Sequence, residues 1–181
     1  MDTVELAVER RETTSKDILW LKQELESLGV QFWLSGGWGV DALLGKQTRP
    51  HPDVDLLIQS KDLPAIKNFF AQQGFSVIPR DDQTEWDFHL GDANRRELDI
   101  HGIVIHEQTG WKYADPREED VYPLQALSSK GIIEGQEVCT LSPELMVLFH
   151  TGYEIQEKDR QDVSALSAKF GITIPDEYLV N

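Results

Sequence analysis

Residues 33–55 constrain the fold more than any other stretch of this chain. The apolar run Val30 to Ser35 reads as a buried strand, Gly36-Gly37 as the turn that ends it, and Asp53 to Ile58 as a second strand. That second strand carries Asp53 and Asp55 at alternate positions. A glycine turn lets backbone N–H groups come close to phosphate oxygens. Carboxylates at i and i+2 of a strand point to one face and can hold a hard divalent cation. Together the two halves suggest a site for a metal-bound nucleoside triphosphate, a reading that neither supports alone.

The flanking pattern places these strands in a mixed architecture. Thr14 or Ser15 caps a helix whose apolar residues Ile18, Leu21, Leu25 and Leu28 recur at helical spacing, and Gly29 ends it. Trp38 to Leu44 reads as a short helix stopped by Gly45, followed by a polar loop, and Leu63 to Gln73 as a longer helix stopped by Gly74. Phe75–Ile78, Glu85–Leu90 and Glu97–Ile105 read as strands, and Glu107 to Ser129 as irregular. Residues 132–139 suggest a hairpin. Ser142-Pro143-Glu144 combines a cap, a first-position proline and a first-turn acid, and predicts a helix to about Tyr153. A last helix is predicted over Glu157 to Phe170. The expected class is α+β (α/β-like): a mixed sheet flanked by helices, with a C-terminal helical part.

A third acid strengthens the cation site. In Glu97-Leu98-Asp99-Ile100-His101, alternation puts Glu97, Asp99 and His101 on one face and Leu98 and Ile100 on the other. If this strand neighbours that of Asp55, three carboxylates converge; their repulsion is relieved by a divalent cation. His101 either orients Asp99, touches an acceptor, or is merely solvated. Trp86, His89, Trp111 and Tyr113 could form an aromatic wall for an acceptor, or pack the core. His150, in an apolar helix, reads as a core or interface histidine, and Trp38 as core.

Charge and composition narrow the partners. A formal charge of −15 over 181 residues argues against nonspecific binding to nucleic-acid backbones, which requires a basic footprint. No stretch approaches the roughly 20 apolar residues of a membrane span. The acidic start, Met1-Asp2-Thr3-Val4-Glu5, lacks a signal peptide's basic and apolar regions, and the single cysteine, Cys139, suits a reducing cytoplasm. The expected location is cytoplasmic.

Gly36-Gly37, Asp53-x-Asp55 and a later Asp99 resemble the signature of the nucleotidyltransferase superfamily that includes DNA polymerase beta. The longer run from Trp33 to Asp55, with Leu98-Asp-Ile-His101, Leu148-Phe-His-Thr-Gly-Tyr153 and Asp159-x-x-Asp162, resembles its antibiotic-modifying branch, the lincosamide nucleotidyltransferases and their aminoglycoside adenylyltransferase relatives. The resemblance implies a nucleotidyltransferase fold, with a catalytic domain over 1–140 and a helical part over 141–181. It implies Mg²⁺-dependent transfer of a nucleoside monophosphate from an NTP, expected to be ATP, to a hydroxyl of a small antibiotic, with release of pyrophosphate. Asp53 and Asp55 are the implied metal ligands; Asp99 binds metal or takes the acceptor proton. Ser35, Gly36 and Gly37 would approach the triphosphate, with Arg49 as a phosphate clamp and Lys46 as a second cation. A homodimer is expected. A lincosamide is favoured over an aminoglycoside, for which acids such as Glu97 would matter more. The alternatives are a protein or metabolite acceptor, as in toxin–antitoxin nucleotidyltransferases, or an inactive nucleotide-binding module.

Overall fold

The computed structural model describes residues 11–179, so the acidic segment Met1 to Glu5 lies outside the described residues. In chain order the elements are α1 (Ser15–Ser27), β1 (Phe32–Leu34), α2 (Gly36–Leu44), β2 (Val54–Gln59), α3 (Leu63–Gln72), β3 (Ser76–Ile78) and β4 (Asp87–Gly91). There follow β5 (Glu97–His106), β6 (Gly110–Tyr113), β7 (Ser129–Ile133), β8 (Gln136–Thr140), α4 (Pro143–Leu148) and α5 (Glu157–Phe170). Among the described residues the strands form a single mixed sheet in the order β3-β4-β5-β2-β1-β8-β7, with β6 beside the far end of β5. Two pairings are parallel, β2 with β5 and β1 with β8.

Strand alternation divides the core. Val54, Leu56 and Ile58 of β2 and Leu98 and Ile100 of β5 join one apolar cluster with Ile18, Leu21 and Leu25 of α1 and Ile66 and Phe70 of α3. Leu57 of β2 and Ile103 of β5 face the other way. They pack with Trp33, with Leu145 and Met146 of α4, and with Val163 and Leu166 of α5. Helix α2 contributes to both clusters. Asp55, Asp99 and His101 share the parity of Leu57 and Ile103, so they open on the α4–α5 side of the sheet.

Three local expectations are corrected. Gly36-Gly37 is not a turn ahead of the helix but the first turn of α2 itself, with Ser35 at its N-cap; Gly36 has φ +52°. The stretch after Glu107 is not wholly irregular, because Gly110–Tyr113 pairs with Ile103–His106. Gly110, at φ +123°, permits it: a Cβ there would lie 2.2 Å from the Tyr122 carbonyl oxygen. Helix α4 ends at Leu148 rather than Tyr153. The Thr151 hydroxyl donates to the Leu148 carbonyl at 2.6 Å, Gly152 has φ +85°, and residues 149–153 turn away.

Candidate active site

The parallel register of β2 and β5 places Asp55 directly beside Asp99, and the antiparallel register of β4 places His89 beside Asp99 and Asp87 beside His101. Five neighbouring strand positions therefore converge on one patch. His101 Nε2 lies 3.5 Å from Asp99 Oδ2 and 3.9 Å from Asp55 Oδ1, and its Nδ1 lies 3.1 Å from Asp87 Oδ1. His89 Nε2 is 3.2 Å from Asp99 Oδ1.

Burial pushes the Asp99 carboxyl up to about 6; His101 opposes the shift, while the Asp55 and Asp53 charges add to it. Burial disfavours charge on His101, but hydrogen bonds to Asp55 and Asp87 and the Asp99 charge outweigh it and raise its pKa well above the ordinary range. One ligand atom each from Asp55, Asp99 and His101 lie within 4.8 Å of one another. The donor set fits a hard divalent cation: adjacent carboxylates in a half-buried site, one already driven toward protonation, chiefly by burial.

Asp53 stands just before β2, and its backbone carbonyl accepts from the Thr13 hydroxyl at 3.2 Å. The Ser35 N–H donates to the Asp55 carbonyl at 3.1 Å, which fixes the start of α2 against β2. A Cβ on Gly36 would lie 2.0 Å from Asp55 Oδ2. The glycine therefore lies directly against the Asp55 carboxylate, where no side chain fits.

These residues open onto a cleft of about 1240 Å³, bordered by Gly36, Gly37, Asp53 and Asp55. Tyr113, Tyr122 and Phe149, which also line it, form an aromatic cluster with ring centroids 5.1–6.4 Å apart. Val121, Leu148 and Tyr153, each about half exposed, extend this apolar wall. The remaining sequence candidates lie elsewhere. Trp111 is fully buried in the core and does not line the cleft. Trp86 packs against the α1–α3 cluster, and Glu97 borders a separate depression with Arg95 and Arg96. Lys46 is exposed outside the cleft. Lys158 lines the cleft instead; one lysine in a charged helix carries no sequence signal of that position. The apolar wall was equally hidden, because the turn after α4 is what brings Phe149 and Tyr153 round.

Arg49 also borders the cleft, but its guanidinium is engaged. Nε and Nη2 donate to Asp162 of α5 at 3.2 and 2.7 Å, and His150 Nε2 lies 3.6 Å from the same carboxylate. A bidentate clamp on phosphate is therefore corrected to a bidentate clamp on Asp162; Arg49 presents charge to the cleft rather than an open fork. Burial pushes Asp162 up, yet hydrogen bonds from His150 and Arg49 prevail and hold it below its ordinary value. Burial lowers His150, yet its bonds to Asp162 and the Met146 carbonyl prevail and raise it. Asp162 thus contributes stability above about pH 4, lost as pH falls through its folded pKa; His150 contributes below about pH 6.5, lost as pH rises through its own. The melting-temperature gap between wild type and Asp162→Asn is expected to be widest between about pH 4 and 6.5. A gap that does not change between about pH 3 and 9 would contradict this coupling.

The same fold recurs in solved nucleotidyltransferases. A sequence model of the aminoglycoside-2''-adenylyltransferase family matches residues 17–166. A lincosamide resistance protein of Staphylococcus haemolyticus is 27% identical over 158 residues, spanning 86% of this chain and 95% of that protein. The structure of the lincosamide antibiotic adenylyltransferase LnuA, lincomycin-bound, superposes with a TM-score of 0.76 at 26% identity, covering 87% of this chain and 99% of that one. That of ANT(2'')-Ia in complex with adenylyl-2''-tobramycin superposes at 0.70 and 19% identity, covering 87% and 89%. The fold is thus that of a nucleotidyltransferase. The chain belongs to the aminoglycoside-2''-adenylyltransferase family of antibiotic nucleotidyltransferases.

Proposed function

We propose that this enzyme transfers a nucleoside monophosphate from an NTP, with ATP the expected donor, to a hydroxyl of a lincosamide. The observation that carries the choice of acceptor is the mixed lining of the cleft, which has a carboxylate wall of Asp53 and Asp55 and an aromatic wall of Tyr113, Tyr122 and Phe149. A lincosamide joins a hydroxylated sugar to an alkylated ring, and so has one end for each wall. The similarity to a lincosamide resistance protein and to LnuA supports the same acceptor.

The acceptor oxygen attacks the α-phosphorus. A new P–O bond forms as the bond to the bridging oxygen breaks, and that electron pair leaves on pyrophosphate. Asp55 and Asp99, with the charge of Asp53 close by, would hold Mg²⁺. When bound, the ion neutralises phosphate charge and stabilises the attacking and leaving oxygens. Asp99, beside Asp55 in register, is the carboxylate we assign to receive the hydroxyl proton. His101, held by Asp87, would keep Asp99 oriented beside Asp55. Gly36 and Gly37 leave the triphosphate room, and Lys158 and Arg49 offset its charge from the cleft rim. We further infer a homodimer acting in the cytoplasm, from family resemblance; light scattering at assay concentration tests the dimer.

The apolar wall makes its own prediction. Leu148 is 52% exposed, so Leu148→Asp is expected to fold normally and to raise KM for a lincosamide about tenfold, with KM for the NTP unchanged. An unchanged acceptor KM would remove Leu148 from the acceptor site. The second reading, an aminoglycoside acceptor, is favoured by the matching family model and by the acidic run Glu118 to Asp120, of which Asp120 lines the cleft. Mass spectrometry of the protein with Mg²⁺, mixed NTPs and both drug classes distinguishes them. A lincosamide gaining a nucleoside monophosphate supports the first reading, an adduct only on aminoglycosides the second, and no adduct on either overturns both.

A further inference from the structure

Beneath the first turn of α2 lies a set of buried polar side chains to which the chemistry above gives no part. Asp41 is fully buried and His51 is 2% exposed. His51 Nε2 lies 2.5 Å from Asp41 Oδ2, and its Nδ1 lies 3.0 Å from Arg49 Nη1. A guanidinium can only donate, so Nδ1 accepts, and the ring proton sits on Nε2, which donates to Asp41. The second Asp41 oxygen is also committed: it accepts from the Thr48 N–H at 3.0 Å and the Thr48 hydroxyl at 2.6 Å. The imidazole lies tilted on the Trp38 ring, centroids 4.9 Å apart, and the indole N–H donates to the Thr13 hydroxyl at 2.7 Å. Every edge of His51 is therefore fixed by a group that is itself fixed.

Gly37 closes the remaining side. A Cβ there would fall 2.2 Å from His51 Nδ1 and 2.9 Å from Arg49 Nη2. The imidazole and the guanidinium are thus the floor on which the backbone of this turn rests. That backbone is the part of α2 whose N–H groups have no partner within the helix and which borders the cleft. His51 also borders the cleft, but with both ring nitrogens engaged and the residue 2% exposed it has no free nitrogen to serve as a general base.

We propose that His51 is a positioning residue for the nucleotide phosphates: anchored on Asp41, it sets the place of Arg49 and of the Gly36-Gly37 backbone at the phosphate end of the cleft. The proposal rests on the reading of that cleft as an NTP site. Loss of the imidazole lets the guanidinium swing on Asp162 and the turn sink, so nucleotide affinity changes while the acceptor wall, built from other elements, does not.

The test measures the dissociation constants of non-hydrolysable ATP and GTP analogues with Mg²⁺, and separately KM for the NTP and the acceptor, in His51→Gln and Thr48→Val. In His51→Gln the affinity for the better analogue is expected to fall about tenfold or more, with acceptor KM within about twofold of wild type. Thr48→Val removes only the hydroxyl that steadies Asp41 from a half-buried loop, so it tests the same idea if His51→Gln fails to fold; about a threefold loss is expected. Variants that bind nucleotide as wild type does, or lose nucleotide and acceptor affinity equally, overturn the proposal. A wild-type protein that binds neither analogue overturns the reading of the cleft, and the proposal with it.

Discussion

An Asp55→Asn variant is expected to fold and yet to lose at least about a hundredfold in turnover, the scale on which removal of one preorganised electrostatic group acts. Asp55 stands at the convergence of the site. It pairs in register with Asp99, lies 3.9 Å from His101, and meets Gly36 through Oδ2. Asparagine keeps the shape and removes the charge, so the packing around β2 persists while the carboxylate pair proposed to hold the cation becomes a lone carboxylate. Asp99, relieved of one like charge, should titrate lower than about 6, making it a weaker base as well. The side chain is partly exposed and outside both apolar clusters, so the melting temperature should stay within about 4 °C of wild type. Stopped-flow or discontinuous pyrophosphate assays beside thermal melts make the comparison. Turnover within tenfold of wild type would remove Asp55 from the metal site; turnover lost together with the fold would make it a structural residue.

Gly36→Ala is expected to be almost as damaging by a steric route. The new methyl would sit 2.0 Å from Asp55 Oδ2 at a φ of +52°, where an L side chain costs about 1–2 kcal/mol before any clash is counted. Either the carboxylate or the first turn of α2 must move, and both belong to the site. A loss of at least about a hundredfold in turnover follows, because misplacement of about 1 Å is enough for it. Gly45→Ala is the control. Gly45 has φ +76° with nothing within 4 Å of its Cβ position, so that variant should lose about 1 kcal/mol of stability and keep its kinetics. If both alanines lower turnover alike, backbone strain rather than contact with Asp55 is responsible.

What the chain reveals before folding follows the range of the interactions. Strand alternation in Glu97 to His101 and glycine-ended helices are local, and β5, α1, α3 and α5 lie close to where their residues place them. The facing of Asp55 and Asp99 was conditional on two strands being neighbours, and the register supplies that condition. Arg49 shows the opposite case. An arginine in a polar loop before the aspartates looks free to bind phosphate, whereas its partner, Asp162, is contributed by a helix far along the chain. His51 likewise reads as one more residue of a Pro-His-Pro loop until Asp41 is seen beneath it. Trp111 sits among charges in the sequence and in the core of the fold, because β6 adds to β5 through only four residues.

The two parallel pairings have a consequence for how activity appears during synthesis and refolding. Parallel strands cannot be closed by a tight turn, so β2 meets β5, and β1 meets β8, only after long intervening segments have been ordered. Such non-local contacts are among the slower to form. Asp55 and Asp99 become neighbours at that step and not before, while Phe149 and Tyr153 arrive still later in the chain. Catalysis in this protein therefore reports completed long-range assembly, and regained activity should trail regained helix signal whenever the chain refolds.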